Sequence, residues 1–183
     1  MNNSNISFFT KPITNTYPYR NISLEQVYKL IKSDRYKEQT KILRNILLPK
    51  SARKYKAEHF DYVTFSGTFA KRADKDLIQH SNLLCLDFDH IENLKELKKS
   101  LLNDQYFETQ LLFISPSGDG IKWIIEIDTQ KETHQNWFQA ISNYLHSSYK
   151  VIPDASGKDI SRACFLPHDT DVFINPKHLT EKQ

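Results

Sequence analysis

One segment limits the folds open to this chain more than any other: Leu83-Leu84-Cys85-Leu86-Asp87-Phe88-Asp89. Side chains alternate across a β-strand with a period of two. As a strand, it puts Leu84, Leu86 and Phe88 on one face and Cys85, Asp87 and Asp89 on the other. The apolar set must meet a helical layer, so the two carboxylates point to the opposite, open face of a sheet.

The segments around it supply the rest of that architecture. A strand over 82–88 is followed by a helix over 92–102 (Leu94, Leu97, Leu101, Leu102) and a strand at 110–115. Next come a tight turn at 116–120 and a strand at 121–127. A longer helix spans 131–147, with Trp137, Phe138, Ile141, Tyr144 and Leu145 at helical spacing, and short strands fall near 150–153, 162–166 and 171–174. The order is β-α-β-β-α-β, which predicts an α+β, ferredoxin-like (RRM-like) core with two helices on one face and an open face opposite. Upstream, Ser7-Phe8-Phe9 offers an edge strand, and Ser23 with Gln26 offers a capping box for a helix carrying Leu24, Val27, Leu30 and Ile31. A second helix from Tyr36, with Ile42, Leu43, Ile46 and Leu47, stops before Pro49. The expected organisation is an N-terminal extension over 1–60 with two helices packed on the core, a core over 61–175, and a tail over 176–183.

Parity on the later strands enlarges the polar face. If Trp123, Ile125 and Ile127 face the helices, Lys122, Ile124 and Glu126 face the other way, and Arg162 and Cys164 oppose Ala163 and Phe165. Asp87, Asp89, Lys122 and Arg162 thus gather on one side of one sheet. Carboxylates at i and i+2 stand about 7 Å apart along a strand. Their hard oxygens suit Mg2+ or Mn2+, which bind through one or two carboxylates, waters and substrate phosphates. The plainer reading is that Asp89 or His90 caps the next helix. The turn Ser115-Pro116-Ser117-Gly118-Asp119-Gly120, followed by Lys122, reads as a phosphate cradle or as an ordinary hairpin. Asp154, Lys158 and Arg162 read as a third acid with two phosphate contacts, or as a solvated turn with Arg162 paired to Asp159. Should Asp154 point away, Asp159 or Glu126 is the next candidate acid. Lys50, Arg53, Lys54 and Lys56, with Lys71 and Arg72, form either a solvated loop or a surface for nucleic acid. His90, His134 and His168 lack ligand spacing and read as surface or packing residues.

The bulk properties fit this picture without demanding it. The formal net charge of +3 over 183 residues permits a nucleic-acid partner. Cys85 and Cys164 show no ligand spacing and read as two buried free thiols of a reducing compartment. Met1-Asn2-Asn3-Ser4-Asn5 lacks the order of a signal peptide, and no apolar run reaches the roughly 18 residues of a membrane span. A cytoplasmic protein with no membrane partner is expected.

Leu86-Asp87-Phe88-Asp89, then Ser117-Gly118-Asp119-Gly120-Ile121-Lys122, then Asp154 resemble the ordered motifs of the archaeo-eukaryotic primase superfamily. More closely, Thr64–Phe69, Leu86–Ile91, Ser115–Lys122 and Asp154–Phe165 are similar to the VirE N-terminal domain family, a primase-like group of Bacteroidetes mobile elements. The resemblance implies an RRM-like catalytic core with two metal ions, Mg2+ or Mn2+, and nucleotidyl transfer from a nucleoside triphosphate onto a nucleic acid. Single-stranded DNA is the implied template and a separate helicase or replication protein the implied partner. By position, Asp87, Asp89 and Asp154 become the metal-binding, catalytic acids. Ser115, Ser117, Gly118, Gly120, Lys122, Lys158 and Arg162 become nucleotide contacts. Lys122 departs from the pattern, which has a triphosphate-binding histidine there. The alternatives are a catalytically inactive nucleic-acid or nucleotide-binding module and a metal-dependent nuclease.

Overall fold

In a computed structural model, described over residues 5–179, the elements run as follows. They are β1 (Ile6–Phe9), β2 (Arg20–Ile22), α1 (Leu24–Lys32), α2 (Lys37–Arg44), α3 (Pro49–His59), β3 (Tyr62–Thr64), β4 (Gly67–Phe69) and β5 (Leu77–His80). These are followed by β6 (Leu83–Phe88), α4 (Leu94–Leu102), β7 (Thr109–Ile114), β8 (Ile121–Glu126), α5 (His134–Tyr149), β9 (Cys164–Phe165) and β10 (Phe173–Ile174). The chain is α+β. One sheet has the order β10-β7-β8-β6, a second β2-β1-β3-β9, and β4 pairs with β5; every pairing is antiparallel.

The alternation of β6 has the predicted consequence on its helical side. Leu84, Leu86 and Phe88 are fully buried in one cluster with Leu112, Trp123 and Ile125 of the neighbouring strands. Leu97 and Leu101 of α4 and Phe138, Ile141 and Leu145 of α5 close that cluster from above. Because β6 and β7 both run antiparallel to β8, they are parallel to each other, and α4 makes the crossover between them.

The opposite face is not open over its whole length, contrary to the sequence expectation. Leu83, Leu111, Phe113 and Ile124 are buried there against Ile6, Phe8, Ile22, Leu24, Val27, Ile31, Val63 and Phe65. The N-terminal residues are therefore not a separate extension. β1 is paired to β2 on one side and to β3 on the other, and β3 in turn pairs with β9 from far down the chain. The physical reason is that β7 and β8 are apolar on both faces, so the second face needs a cover of its own.

Three further expectations change. The 150–153 segment is not a strand. Pro153 has no N–H to give a ladder, and only the Asp154 N–H reaches the β6 edge, donating to the Asp87 carbonyl (2.8 Å). The predicted strands at 162–166 and 171–174 shrink to β9 and β10, and these join the second sheet and the β7 edge respectively. The basic stretch after Arg44 is no loop: Pro49 stands in the first turn of α3, where its missing N–H costs nothing. The Ser23–Gln26 capping box forms as expected. Of the tail, Pro176–His178 makes a helical turn, and residues 180–183, like the polar residues 1–4, lie outside the described residues.

If β1 is integral to the core, Phe8→Ala should lower the stability of the whole chain by about 3–5 kcal/mol. Urea denaturation should then show one transition moved to lower concentration. A main transition left in place would mean that the N-terminal residues fold as an appendage.

Candidate active site

The polar end of β6 lies where the covering sheet stops. Asp87 is 8% exposed, and Lys122 is its directly opposed residue on β8. Their side chains form an ion pair between Lys122 Nζ and Asp87 Oδ2, while Asp87 Oδ1 is buried without a hydrogen-bond partner. Burial pushes the Asp87 carboxyl up from its ordinary value, against the pull of Lys122. Burial also disfavours the Lys122 charge, but the Asp87 carboxylate outweighs it and the amine stays above its ordinary value.

Asp89 is exposed just beyond the strand end. It does not cap the following helix: Asn93 does, accepting from the Glu96 N–H (3.1 Å). Asp154 is delivered by its backbone bond to Asp87. Its Oδ1 accepts from the Ser156 N–H (2.8 Å) and hydroxyl (2.7 Å), and its Oδ2 faces Arg162 (3.4 Å). Partial burial works against ionisation here, yet the Ser156 bonds and Arg162 hold the carboxyl below the usual range. One oxygen from each of Asp87, Asp89 and Asp154 lies within 4.8 Å of the others. Opposite oxygens around a Mg2+ ion are about 4 Å apart, so small side-chain rotations close the three onto one ion. The lone pairs of Asp87 Oδ1, buried with no donor, are the strongest local reason for a cation here.

Asp87 and Asp89 open into a cleft of about 340 Å³, with Asp154 beside them just outside its lining. The cleft is walled by Lys56 from α3, Arg72, Ser115 and Ser117 from the β7–β8 turn, and Arg162. Lys56 is depressed from its ordinary value, first by burial and then by the nearby Lys122 charge. Arg72 is fixed by its guanidinium bonds to Tyr62 Oη (3.2 Å) and the Ile13 carbonyl (3.3 Å), and Ile13 itself lines the cleft. In the β7–β8 turn, the Ser115 and Gly118 N–H groups bond inside the hairpin, to Gly120 and Ser115 carbonyls. Gly120 is required because a Cβ would lie 2.3 Å from the Phe88 carbonyl oxygen. Gly118 sits outside the cleft against the Arg44 side chain, which donates to the Pro116 (3.2 Å) and Ser115 (3.3 Å) carbonyls.

Not every predicted contact converges. Lys158 is exposed and does not line the cleft; Lys50, Arg53 and Lys54 are exposed on α3, with Lys54 3.9 Å from Glu58; Lys71 lies over the Tyr17 ring (5.6 Å). Glu126 is paired with Lys177 (3.1 Å) at the other end of β8, and Asp159 lines the cleft while Arg162 pairs with Asp154 instead. Sequence reasoning missed Ile13 and the exposed Tyr17 beside Lys71, while Arg44, grouped there with the basic residues of α3, instead braces the β7–β8 turn. It also missed that Cys85 and Cys164 come together beside Lys122. No local pattern announces these, because each depends on pairing between distant segments.

The turn carrying Asp154 is held from behind by histidines. His134 Nε2 lies 3.2 Å from the Gly157 carbonyl, His80 Nε2 lies 3.1 Å from His134 Nδ1, and the Asn82 N–H donates to His80 Nδ1 (2.9 Å). One assignment of protons satisfies all three bonds, with both rings neutral and protonated on Nε2. His90, by contrast, is exposed and pairs with Asp119 (2.6 Å), and His168 bonds to the Ser33 carbonyl (2.8 Å).

The site is thus a triad of carboxylates that could hold a metal ion, beside Lys122, Lys56 and Arg162. The chain matches the family described as BT4734-like, N-terminal domain, over residues 54–173, and belongs to that family. No curated protein and no solved structure matches it.

Burial and the neighbouring His134 lower the His80 pKa from 6.5 to about 4. A base depressed on folding leaves the unfolded chain holding more protons between those values. Stability contributed by neutral His80 is therefore complete above about pH 6.5 and is lost as pH falls towards about 4. Urea midpoints should fall across that window, and less steeply in His80→Gln. An equal slope in the variant would remove His80 as a source.

Proposed function

We propose that this chain is a primase-like nucleotidyl-transfer domain of the VirE N-terminal type, acting in the replication of a mobile element. The observation that carries the reading is the convergence of Asp87, Asp89 and Asp154 within 4.8 Å, the first two in one cleft with Lys56, Arg72 and Arg162. The topology supports it too. β6-α4-β7-β8-α5 follows the RRM-like order, with the 151–154 segment lying where a fourth strand beside β6 is expected, reduced to one ladder bond.

In this reading the three acids hold Mg2+ or Mn2+, which when bound would neutralise charge on the triphosphate and the attacking hydroxyl. Lys56 and Arg162 bind the phosphates, and their mutual crowding with Lys122 is relieved by an anion. Ser115 and Ser117 line the same wall. Arg72, Lys71 and the exposed Tyr17 receive a single strand at the rim, combining backbone charge contacts with base stacking. Among the described residues no helix is long and apolar enough to cross a membrane.

The Lys122–Asp87 ion pair favours a second reading, a binding module that has lost catalysis. The two separate on a primer-extension assay with Mn2+ and nucleoside triphosphates. The first reading expects product that disappears in Asp87→Ala with Asp89→Ala, and about 10²–10³-fold slower extension in Arg162→Ala. Salt-dependent binding of single-stranded DNA without extension, retained in the double aspartate variant, selects the second. Neither extension nor binding removes both.

A further inference from the structure

Resting on the reading of the acid triad as a metal site, we propose that the Lys122 ammonium permanently occupies the place of one divalent cation. The triad then accepts a single metal ion rather than two.

Two-metal sites hold ions roughly 3.5–4 Å apart. That separation needs a carboxylate whose two oxygens each face one ion. Asp87, at the centre of the triad, is the natural bridge, but its Oδ2 is taken by Lys122. The pairing is fixed by the backbone. The two residues are direct partners in the β6–β8 ladder, and their side chains are only 11% and 12% exposed, so the ladder register holds the ammonium beside the carboxylate. The partly buried Cys85 and the buried Cys164 lie beside Lys122.

Asp154 cannot take over as bridge. Its Oδ1 already accepts two bonds from Ser156, and its Oδ2 faces Arg162. What remains for a cation is one oxygen each from Asp87, Asp89 and Asp154, within 4.8 Å of one another, with Asp87 Oδ1 the oxygen that Lys122 leaves without a partner. The lysine contributes one fixed positive charge where a second ion would contribute two. The site keeps cationic character on both sides of Asp87 while needing one ion from solution.

The test is stoichiometry on the whole chain, read from the electron paramagnetic resonance of free Mn2+ during titration without nucleotide. The wild type is expected to bind one Mn2+ per chain. Lys122→Met, which keeps length and removes charge, frees Asp87 Oδ2 and is expected to bind two. Lys122→Gln, whose shorter neutral side chain also removes the ammonium from Asp87 Oδ2, serves if the methionine variant fails to fold, and is also expected to gain the second ion. Two ions on the wild type, or one ion on both folded variants, overturns the proposal. One ion on the wild type without primer extension overturns nucleotidyl transfer and leaves the single-ion site standing. Two ions with extension do the reverse. No ion on any form overturns the metal site and this proposal together.

Discussion

The register between β6 and β8 governs everything placed around it. Leu84 faces Ile125, Leu86 faces Trp123, Asp87 faces Lys122 and Phe88 faces Ile121. A slip of one residue would exchange the faces of β6, driving Asp87 among Trp123, Phe138 and Leu101 and expelling Leu86 and Phe88. Burial of six strand residues on the helical face therefore fixes, without any contribution from the site, where the carboxylate and the ammonium stand. Trp123 locks this register further by donating its indole N–H to Thr109 on β7 (2.8 Å).

On that fixed pair, segments from four distant parts of the sequence are assembled. The 151–158 turn is fastened by the Asp154–Asp87 backbone bond, by the His80–His134–Gly157 chain, and by Gly157, where a Cβ would strike Phe138 at 2.7 Å. The N-terminal loop is fastened by the Lys11 N–H to Asp61 (3.0 Å) and by Tyr62 Oη to the Asn15 carbonyl (2.6 Å). Asp61 is itself buried and held by Tyr36 (2.9 Å) and Arg35 (3.0 Å). Helix α3 brings Lys56, whose amine lies 5.7 Å from the centre of the Phe165 ring, over the acids. Each bond is modest on its own, but none needs the others to shift, so the cleft walls are built before any ligand arrives.

Much of this was readable from residue order. The period-two alternation of β6 and β8 placed Asp87 and Lys122 on one face, and the helical spacing of Leu97, Leu101, Phe138 and Ile141 placed α4 and α5 on the other. Asp154 stands out in the sequence as a third acid, though its backbone bond to Asp87 has no local signature. What stayed hidden has a common cause. β9 and β10 are two residues each, too short to show any period, and their partners lie about 60 to 100 residues away. The covering sheet was hidden because an apolar strand does not reveal whether one or both of its faces are buried. The basic stretch was misread at Pro49, which marks a helix start as readily as a helix stop. That Lys122 and Asp87 share a face was legible; that they are opposed partners required the register.

The ion pair at the centre is hard to explain as a stabilising device. A buried carboxylate and ammonium lose much of their hydration, and well-packed apolar residues at such a position are often at least as stable. Here the surroundings would accept them: Lys122 lies between Asp87 and the fully buried Phe113 in the ladder, with Cys85 and Cys164 alongside. An apolar pair would also remove the orphaned Oδ1 of Asp87, which by itself only weakens the fold. Packing and hydrogen bonding therefore give no reason for this pair to be charged. The orphaned oxygen acquires one once it is counted as a ligand atom aimed at a cation, with Asp89 and Asp154 beside it. In that reading the ammonium supplies a fixed positive charge on the other oxygen of the same carboxylate.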